Sequence, residues 1–502
     1  MGFVTPLVAV IFATMLVALG PSPAQNAGLA ALLAKSRAAS GAPYRYHIVS
    51  RSQETHDGRT FDVTTESEGL KFRAQSCAKT LCTGFYFDGE RSYESNFNGT
   101  ALPIASAVDG LQITLRAIAT YAFTDPDFHK NGGTIVERDP ILRGGTKYRR
   151  ISVAPRLGAL LDAIVDPATG LVAGVISDER KYAFEFGDQR KVGGKVTLPY
   201  SISLNGYKFT QYNERSISDA PLEAPAGLTP DLSAGEAKVA MDERERTAGA
   251  PPVVACTIGG QSAWCMLDTG DSGMSMSLEL AEKLGIEPLA GSFDVHGVGQ
   301  YVTGVVNAPE LHIGTAVYPA ANYVVLHDLS QYGCDMILGA DAFAHARITL
   351  DYGKKEVRIA PSGPAGSGTP IAFQDFVPVV SVGLDGTDVP LQIDTGDDSA
   401  IDLAYDYYEH HQSLFKPSGT TVVNGIGGSS DGVAGTISDV RMAGFDVTHQ
   451  RIAATKKISF NGHIGSGILD HFVVTIDYNG GTIEFVPRAG DASVKPATAA
   501  LL

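Results

Sequence analysis

One tripeptide, Asp-Thr-Gly, occurs twice in the second half of this chain, each time at the end of an apolar run. The first copy is Asp268-Thr269-Gly270 and the second is Asp394-Thr395-Gly396. A carboxylate at the end of a hydrophobic strand lies at the edge of a core, where an uncompensated charge costs free energy. A chain that places such a group twice has a strong reason to do so.

The two copies belong to a longer internal repeat. Asp268 and Asp394 are 126 residues apart, and the same offset relates Gly339 to Gly465 and Asp351-Tyr352 to Asp477-Tyr478. A constant offset across separate landmarks indicates two similar lobes joined in tandem. We therefore expect the function to lie where the two lobes meet.

Each lobe continues with a glycine-rich loop and ends in an apolar-apolar-Gly element. The loops are Val295-His296-Gly297-Val298-Gly299 and Val423-Asn424-Gly425-Ile426-Gly427-Gly428, and the late elements are Ile337-Leu338-Gly339-Ala340-Asp341 and His463-Ile464-Gly465. With these motifs, roughly residues 245 to 488 resemble the bacterial retropepsin-like aspartic peptidases. The resemblance implies a two-lobed, pepsin- or retropepsin-like β-barrel fold.

The resemblance also implies roles for individual residues. Asp268 and Asp394 would form a catalytic dyad, in which two close carboxylates share one proton. Thr269 and Thr395 would brace the opposite lobe, and Gly270 and Gly396 would let the backbone approach the carboxylates. Two glycine loops would serve as flaps over an extended polypeptide substrate, through Gly297, Val298, Gly299, Gly425, Ile426 and Gly427. Because one chain supplies both aspartates, a monomer is sufficient for the dyad.

Three residues depart from the pattern of that family. Asp271 and Asp397 follow the glycines, where the family has Ala, Ser or Thr, and His463 stands where it has an apolar residue. Carboxylates pointing inward would raise the pKa values of the dyad, whereas carboxylates pointing outward would cap a turn. We favour the outward orientation. His463 is either tolerated packing or a sign of lost activity.

Composition limits the other classes of function. The charge of −16 argues against nucleic acid as a partner, and 44% hydrophobic residues with 56 glycines indicate a mainly β globular protein. The histidines have no metal-ligand spacing, so we predict neither a cofactor nor a metal. Asn98-Gly99-Thr100 matches a glycosylation sequon, but we interpret it first as a turn.

The ends of the chain and its cysteines bear on localisation. Val4–Gly20 is an apolar run followed by small residues, so 1–24 is predicted to be a signal peptide, with an uncleaved membrane anchor as the alternative. We expect a periplasmic or secreted protein. Cys77 with Cys82, and Cys256 with Cys265 facing each other across a Gly260-Gln261 hairpin, are possible disulfides, which would leave Cys334 alone. Five free thiols are the alternative.

The upstream half has a different pattern. Leu29, Leu32 and Leu33 predict a short leading helix, and hairpin dipeptides up to about 225 predict a curved antiparallel sheet in an α+β domain, with one helix over Leu111–Phe123. This region weakly resembles periplasmic lipoprotein-carrier domains, which implies a possible hydrophobic ligand; the alternative is a scaffold or a cover for the peptidase.

The sequence divides the whole chain as follows: an upstream domain at 25–225, a linker at 226–250, lobe one at 251–360, a joint at 361–370, lobe two at 371–488 and an unstructured tail at 489–502.

Two hypotheses of different classes follow. The first is an exported aspartic endopeptidase, and the second is a catalytically silent peptide- or lipid-binding protein that keeps the two-lobed fold. Because each lobe has its own strand, carboxylate and loop, the sequence also predicts that a fragment from Asp242 to Arg488 folds by itself.

Overall fold

The computed structural model describes residues 23–497 except 57, 105–120, 131, 155–159, 178–181, 243–248, 328, 364–367 and 459. Nearly all of the predicted signal peptide and most of the predicted 111–123 helix lie outside these residues. In the described part of the chain, no helix is both long enough and apolar enough to cross a membrane. The chain forms two compact units, of which the second comprises Pro225–Leu502 with two upstream segments, Cys77–Gly84 and Tyr93–Ser106.

The upstream strands form an antiparallel meander that follows helix α1 (Pro23–Ser40). They are β1 (His47–His56), β2 (Arg59–Glu68), β3 (Lys71–Ala78), β4 (Leu81–Phe87), β5 (Ser92–Ser95), β6 (Ala101–Pro103), β7 (Thr134–Arg143), β8 (Thr146–Ala154), β9 (Leu161–Val165), β10 (Val172–Ser177), β11 (Tyr182–Val192), β12 (Val196–Leu204) and β13 (Tyr207–Ser218). Sequential neighbours pair with each other, except that β6 and β7 form the two edges of the sheet, and β1 also pairs with β13. Leu32 of α1 is buried in the core of this sheet, as the leucine spacing predicted.

The second unit contains the two lobes. Lobe one has β15 (Val253–Ile258), β16 (Gln261–Leu267), β17 (Met274–Ser277), α2 (Leu278–Leu284), β18 (Leu289–His296), β19 (Gln300–Ala308), β20 (Leu311–Ile313), β21 (Ala316–Tyr318), β22 (Ala321–Leu326), β23 (Met336–Leu338) and α3 (Ala340–Phe343). Lobe two has β27 (Ala372–Gln374), β28 (Val377–Leu384), β29 (Thr387–Ile393), β30 (Ile401–Ala404), α4 (Tyr405–His410), β31 (Lys416–Gly425), β32 (Gly428–Met442), β33 (Phe445–Thr455), β34 (Gly462–Ile464), α5 (Ser466–Leu469) and β37 (Val494–Pro496).

A further six-stranded sheet joins the lobes. Its members are β14 (Ala237–Ala240), β24 (Ala346–Asp351), β25 (Glu356–Pro361), β26 (Thr369–Pro370), β35 (Phe472–Asp477) and β36 (Thr482–Pro487). At its centre β24 pairs with β35, and Thr349 lies opposite Thr475, its own equivalent in the repeat. This pairing places a pseudo-two-fold axis between the lobes, so that equivalent residues near the axis face each other.

The tail and the hairpin that carries Cys256 both differ in detail from the sequence prediction. The tail was expected to be unstructured, but β37 within it pairs with β33, so that expectation is wrong over this strand. Both disulfides, Cys77–Cys82 and Cys256–Cys265, are formed, and Cys334 is a buried free thiol. The hairpin register differs from the prediction, because Cys256 lies opposite Ala263. The second bridge is therefore diagonal, between side chains on one face of the hairpin.

An upstream segment completes the core of lobe one. Asp341 is fully buried, and the side-chain amides of Asn96 and Asn98 donate hydrogen bonds of 2.9 and 2.6 Å to its two carboxyl oxygens. Asn98 also donates to the carbonyl oxygen of Asn322, so its amide belongs to the fold and a glycan there would remove these bonds. The predicted turn is present, since the Gly99 amide donates to the Asn96 carbonyl. A fragment starting at Asp242 would lack these partners, and we expect it to lose stability.

The first prediction tests this buried hydrogen-bonding. Asn98→Ala leaves one oxygen of the Asp341 carboxyl buried without its partner, which costs about 1–3 kcal/mol in the free energy of unfolding. Denaturant unfolding of the variant and of Asn213→Ala, a change at an exposed asparagine on β13, measures the difference. Equal stability of both variants would contradict the assigned role of Asn98.

Candidate active site

The repeated strands bring both aspartates to equivalent positions. β16 lies between β15 and β23, and it pairs with β23 in parallel. Past the end of β16, the Asp268 amide donates a hydrogen bond of 3.0 Å to the Leu338 carbonyl, and the Asp394 amide does the same to Ile464 in lobe two. The late apolar-apolar-Gly element of each lobe thus fixes the backbone at its aspartate.

The two threonines link the lobes through reciprocal hydrogen bonds. The Thr269 amide donates to Oγ1 of Thr395 and the Thr395 amide to Oγ1 of Thr269, both at 3.0 Å. Each hydroxyl then donates across to the other lobe, Thr269 to the Ile393 carbonyl at 2.6 Å and Thr395 to the Leu267 carbonyl at 2.8 Å. Both threonines are fully buried. Every polar atom of this pair of side chains has a partner in the opposite lobe, which holds the two aspartates in register.

The two glycines let each carboxyl group lie against the opposite lobe. A Cβ atom on Gly270 would lie 2.6 Å from Oδ2 of Asp394, and one on Gly396 would lie 2.2 Å from Cγ of Asp268. Both distances are shorter than any normal contact, so no larger residue fits. Each aspartate also accepts a hydrogen bond from the glycine amide two residues on, at 2.7 Å in lobe one and 2.9 Å in lobe two.

The electrostatics of the pair favour one shared proton. Burial, the charge of Asp394 and the charge of Asp271 raise the pKa of Asp268 well above its ordinary value. Burial also raises the pKa of Asp394, against the lowering effect of the charge on His463. The two carboxyl groups are hydrogen-bonded to each other. Two acids in such contact cannot both ionise easily, so one keeps a proton while the other is a base.

Asp271 caps a turn, which the outward orientation predicted, and its charge also acts on Asp268, which the inward orientation predicted. Its carboxylate accepts hydrogen bonds from the Gly273 amide and the Ser275 hydroxyl, both at 2.8 Å, and so caps the turn after the glycine. Burial nevertheless raises the pKa of Asp271 to about 6. Its negative charge in turn raises the pKa of Asp268. The residue therefore caps a turn and also acts electrostatically on the dyad.

Lobe two has a charged cluster beside its aspartate. Nε2 of His463 lies 2.9 Å from Oδ2 of Asp397 and 3.9 Å from Oδ2 of Asp402, with the three side chains largely buried. Asp397 also accepts a hydrogen bond from the Ser399 amide at 2.8 Å. In the described chain these three residues are the group whose ligand atoms lie close enough together to surround a metal ion. The same three side chains also suit an ion pair between His463 and Asp397, with Asp402 as a second carboxylate nearby.

The two glycine loops meet each other. Gly297–Gly299 connects β18 to β19, and Ile426-Gly427 forms the tip between β31 and β32. The Gly299 amide donates a hydrogen bond of 3.0 Å to the Ile426 carbonyl, and a Cβ atom on Gly299 would lie 1.8 Å from the Gly427 oxygen. Gly427 has a φ of +82°, which favours glycine. The backbone atoms of the two loop tips thus lie directly against each other. The tips must separate to admit an extended ligand.

An apolar cluster of lobe one lies between this tip and the strands of Asp268. It combines flap residues with residues next to the strand ends, and its members include Val295, Met266 and Ile337, with Ile426 packed against it. Leu81 and Phe97, from the two upstream segments of this unit, pack against the same cluster. The Cys77–Cys82 disulfide closes the turn that carries Leu81. Side chains of the chain itself therefore contact the apolar surface next to the aspartate.

Lobe one matches a known protein family, and several solved structures are similar to parts of the chain. A family model described as aspartyl protease matches residues 254–342, which confirms the predicted resemblance over lobe one. Among solved structures, a retropepsin-like aspartic protease from Rickettsia conorii is similar at 18% identity over 27% of this chain and 95% of that chain, with a TM-score of 0.19. Basic 7S globulin from soybean is similar at 10% identity over 52% and 96%, with a TM-score of 0.31.

A solved structure of another kind is similar as well. A putative outer membrane lipoprotein-sorting protein domain from Vibrio parahaemolyticus is similar at 7% identity over 39% of this chain and 94% of that chain, with a TM-score of 0.27. The comparison with curated proteins finds no match.

Sequence reasoning missed several residues of this site. The structure brings together both aspartates, both threonines, both glycines and the two loops that the motifs singled out. It adds Asp402, Leu81 and Phe97, which no motif indicated. Asp402 carries no local signal, because its place beside His463 comes from the pairing of β30 with β34. Leu81 and Phe97 lie outside the repeat altogether.

The second prediction concerns Asp271. Because the charge on Asp271 raises the pKa of Asp268, Asp271→Asn lowers that pKa. A reaction that needs Asp268 protonated then stops at a lower pH, so the alkaline limb of the pH–rate profile moves down, by about one unit. Profiles of the wild type, Asp271→Asn and Asp388→Asn, a control at an exposed aspartate, measure the shift. An unchanged alkaline limb would contradict the electrostatic role of Asp271.

Proposed function

We propose that this protein is an exported aspartic endopeptidase, in which a water molecule activated between Asp268 and Asp394 hydrolyses a peptide bond. The observation that carries the proposal is the mutual contact of the two carboxyl groups. Each lies against the glycine of the other lobe and both are aligned by the crossed threonine bonds. The aspartyl protease match over residues 254–342 supports the same class of chemistry.

The reaction needs one protonated and one ionised carboxyl group. The carboxylate takes a proton from the bound water as the oxygen attacks the carbonyl carbon of the substrate, and the protonated acid gives its proton to the carbonyl oxygen. The resulting tetrahedral gem-diol is neutral. It collapses when the dyad donates its proton to the amine nitrogen, the C–N bond breaks, and one gem-diol hydroxyl gives its proton to the other carboxylate, so that the pair again holds one proton. No covalent intermediate with the chain is formed.

The flaps supply binding to an extended polypeptide. The tips of Gly297–Gly299 and Gly425–Gly427 are joined by the bond from the Gly299 amide to the Ile426 carbonyl, and a substrate that separates them would replace this bond with main-chain bonds of its own. Because both carboxylates come from one chain, the site is complete in a monomer. Activity per molecule should therefore be independent of dilution.

The competing function is a silent binding protein with the same two lobes. The packing of Leu81 and Phe97 against the apolar cluster next to Asp268 favours it, since side chains that cover this surface limit access to it. We interpret these side chains instead as a cover that a substrate displaces.

Export and a ligand for the upstream sheet are separate parts of the proposal. The two disulfides fit an oxidising compartment, and fractionation of cells expressing the tagged full chain tests the localisation. In the upstream sheet a pocket is lined on one part by aromatic and aliphatic side chains, among them Phe184, Phe186 and Ile202, and on another by polar ones, among them Glu54 and Thr65. The apolar part of this lining suits a small apolar group. Binding of a fluorescent fatty acid, compared between the wild type and Phe186→Asp, tests this.

The third prediction tests the dyad directly. Asp268→Asn removes the ability to share the proton and should lower peptide cleavage by at least about a thousandfold, in line with general acid–base contributions to each of two steps. Digestion of an unstructured polypeptide across a pH series, with cleavage sites read by mass spectrometry, provides the measurement. Asp388→Asn serves as the control. Cleavage at the wild-type rate by Asp268→Asn would refute the peptidase assignment, and no cleavage by any form would favour the binding protein.

The fourth prediction tests the cover. Burying a leucine stabilises by about 1.5–3 kcal/mol, and 1.4 kcal/mol corresponds to about tenfold in an equilibrium constant. Leu81 is only partly buried, so Leu81→Ala should remove about half of that free energy or less and raise kcat/KM for short peptides by up to about tenfold. The matched control is Leu142→Ala, at a leucine that is 69% exposed. A fall in activity, or no change, in Leu81→Ala would show that Leu81 does not restrict the site.

A further inference from the structure

The charged cluster of lobe two has no equivalent in lobe one. The residues 126 positions before Asp397, Asp402 and His463 are Asp271, Met276 and Ile337. The repeat therefore keeps the first carboxylate and replaces the other two positions with apolar side chains in lobe one. Any electrostatic effect of the histidine and of Asp402 falls on one side of the pseudo-two-fold axis.

The strand order places His463 next to the aspartate of its own lobe. β34 pairs in parallel with β29, the strand that ends before Asp394, and His463 lies opposite Gln392. On its other side β34 pairs with β30, where His463 lies opposite Asp402. The imidazole is consequently held between the dyad strand and a second carboxylate, with 12% of its side chain exposed.

The surroundings of the imidazole require a positive charge on it. Asp397 is within hydrogen-bond distance, Asp402 is 3.9 Å away, and Oδ1 of Asp402 has no hydrogen-bond partner among the described residues. Burial opposes the charged ring, but the hydrogen bond to Asp397 and the charges of Asp397, Asp394 and Asp402 raise the pKa of His463 to about 9. Burial likewise raises the pKa of Asp402 to about 7, with the charge of Asp397 adding to it.

The same charge acts on the dyad unequally. Burial raises the pKa of Asp394, and among the charges around it that of His463 acts most strongly, to lower the pKa. Asp268 has the apolar Ile337 at the corresponding position and the negative Asp271 nearby, and its pKa is raised further.

We propose that His463 is a positioning residue that fixes the shared proton: its imidazolium, paired with Asp397, holds the negative charge on Asp394, so that Asp268 keeps the proton. This inference rests on the proposed function, and it assigns the two roles left open there. Asp394 is the base that takes the proton of water, and Asp268 is the acid that donates to the carbonyl oxygen. Asp402 lies on the far side of the ring, and because its pKa is raised to about 7 it adds negative charge there only at neutral pH and above.

We assign this cluster to an ion pair and to no metal ion. The proposed imidazolium carries a proton on Nε2, which lies 2.9 Å from Oδ2 of Asp397, whereas a metal ligand needs that nitrogen without its proton. Activity and titrations should therefore be the same with and without EDTA. Loss of either on chelation, restored by added zinc, would overturn the assignment.

The fifth prediction replaces the histidine by a neutral donor. His463→Gln keeps a group that can hydrogen-bond to Asp397 but removes the charge, so the pKa of Asp394 rises and the acid limb of the kcat/KM profile moves up by about one pH unit or more. His463→Lys keeps a positive charge and should leave the limb within a few tenths of its original pH. His471→Gln is the matched control, because His471 forms a similar pair with Asp491 at 2.8 Å elsewhere in lobe two. A uniform loss at all pH values, with no shift, would overturn the proposal.

A second readout does not depend on cleavage. In wild-type protein labelled with ¹⁵N in its histidine rings, the signal absent from His463→Gln should be that of a doubly protonated ring at pH 7.5. With ¹³C-labelled aspartate, the carboxyl signal absent from Asp394→Asn should titrate below the one absent from Asp268→Asn, and should move up in His463→Gln.

These titrations separate the two ideas. If the titrations are as expected but no form cleaves peptides, the inference is supported and the proposed function is refuted. If the protein cleaves peptides but His463 is neutral at pH 7.5, the proposed function is supported and the inference is refuted. Should the glutamine variant not fold, the ring signal can be assigned from His463→Lys. In that case the titration of the His463 ring in the wild-type protein tests the inference by itself.

Discussion

Two carboxyl groups in contact, each contributed by a different lobe, are the constraint on which the rest of this structure depends. Their repulsion and desolvation oppose folding, so the surrounding chain must hold them together. The crossed bonds of Thr269 and Thr395 do this without any charge, and the bare backbone of Gly270 and Gly396 makes the contact possible. The six-stranded sheet that joins the lobes follows the same pseudo-two-fold axis, since Thr349 lies opposite its repeat equivalent Thr475.

A symmetric frame does not by itself provide an acid and a base. Chemistry at the dyad needs the two carboxyl groups to differ, and in this chain the difference comes from what lies behind each of them. Lobe one has a buried carboxylate with an apolar neighbour, and lobe two has a carboxylate paired with an imidazole. The presence of His463 among aspartates is therefore consistent with an active site, whereas the sequence left open whether it marked a loss of activity.

The peptidase lobes also depend on residues far upstream. Asn96 and Asn98 satisfy a buried carboxylate of lobe one, and Leu81 and Phe97 pack against the apolar cluster beside the flap. The same stretch of chain thus satisfies a buried carboxylate and covers apolar surface beside Asp268. A separable amino-terminal domain, as the composition of the linker suggested, does not account for these contacts.

The sequence by itself determined the repeat, the dyad, the threonines and the glycine loops, because these are local motifs whose geometry recurs wherever strand, turn and carboxylate follow in that order. It also determined the two disulfides as candidates, although the register of the Cys256 hairpin is shifted by one position. Only the tertiary structure decided that Asp402 lies beside His463, that Asp341 is held by two asparagines, and that Leu81 reaches the flap. These contacts join residues from separate strands or segments, and their energy depends on burial and on strand pairing, neither of which a local pattern of residue types records.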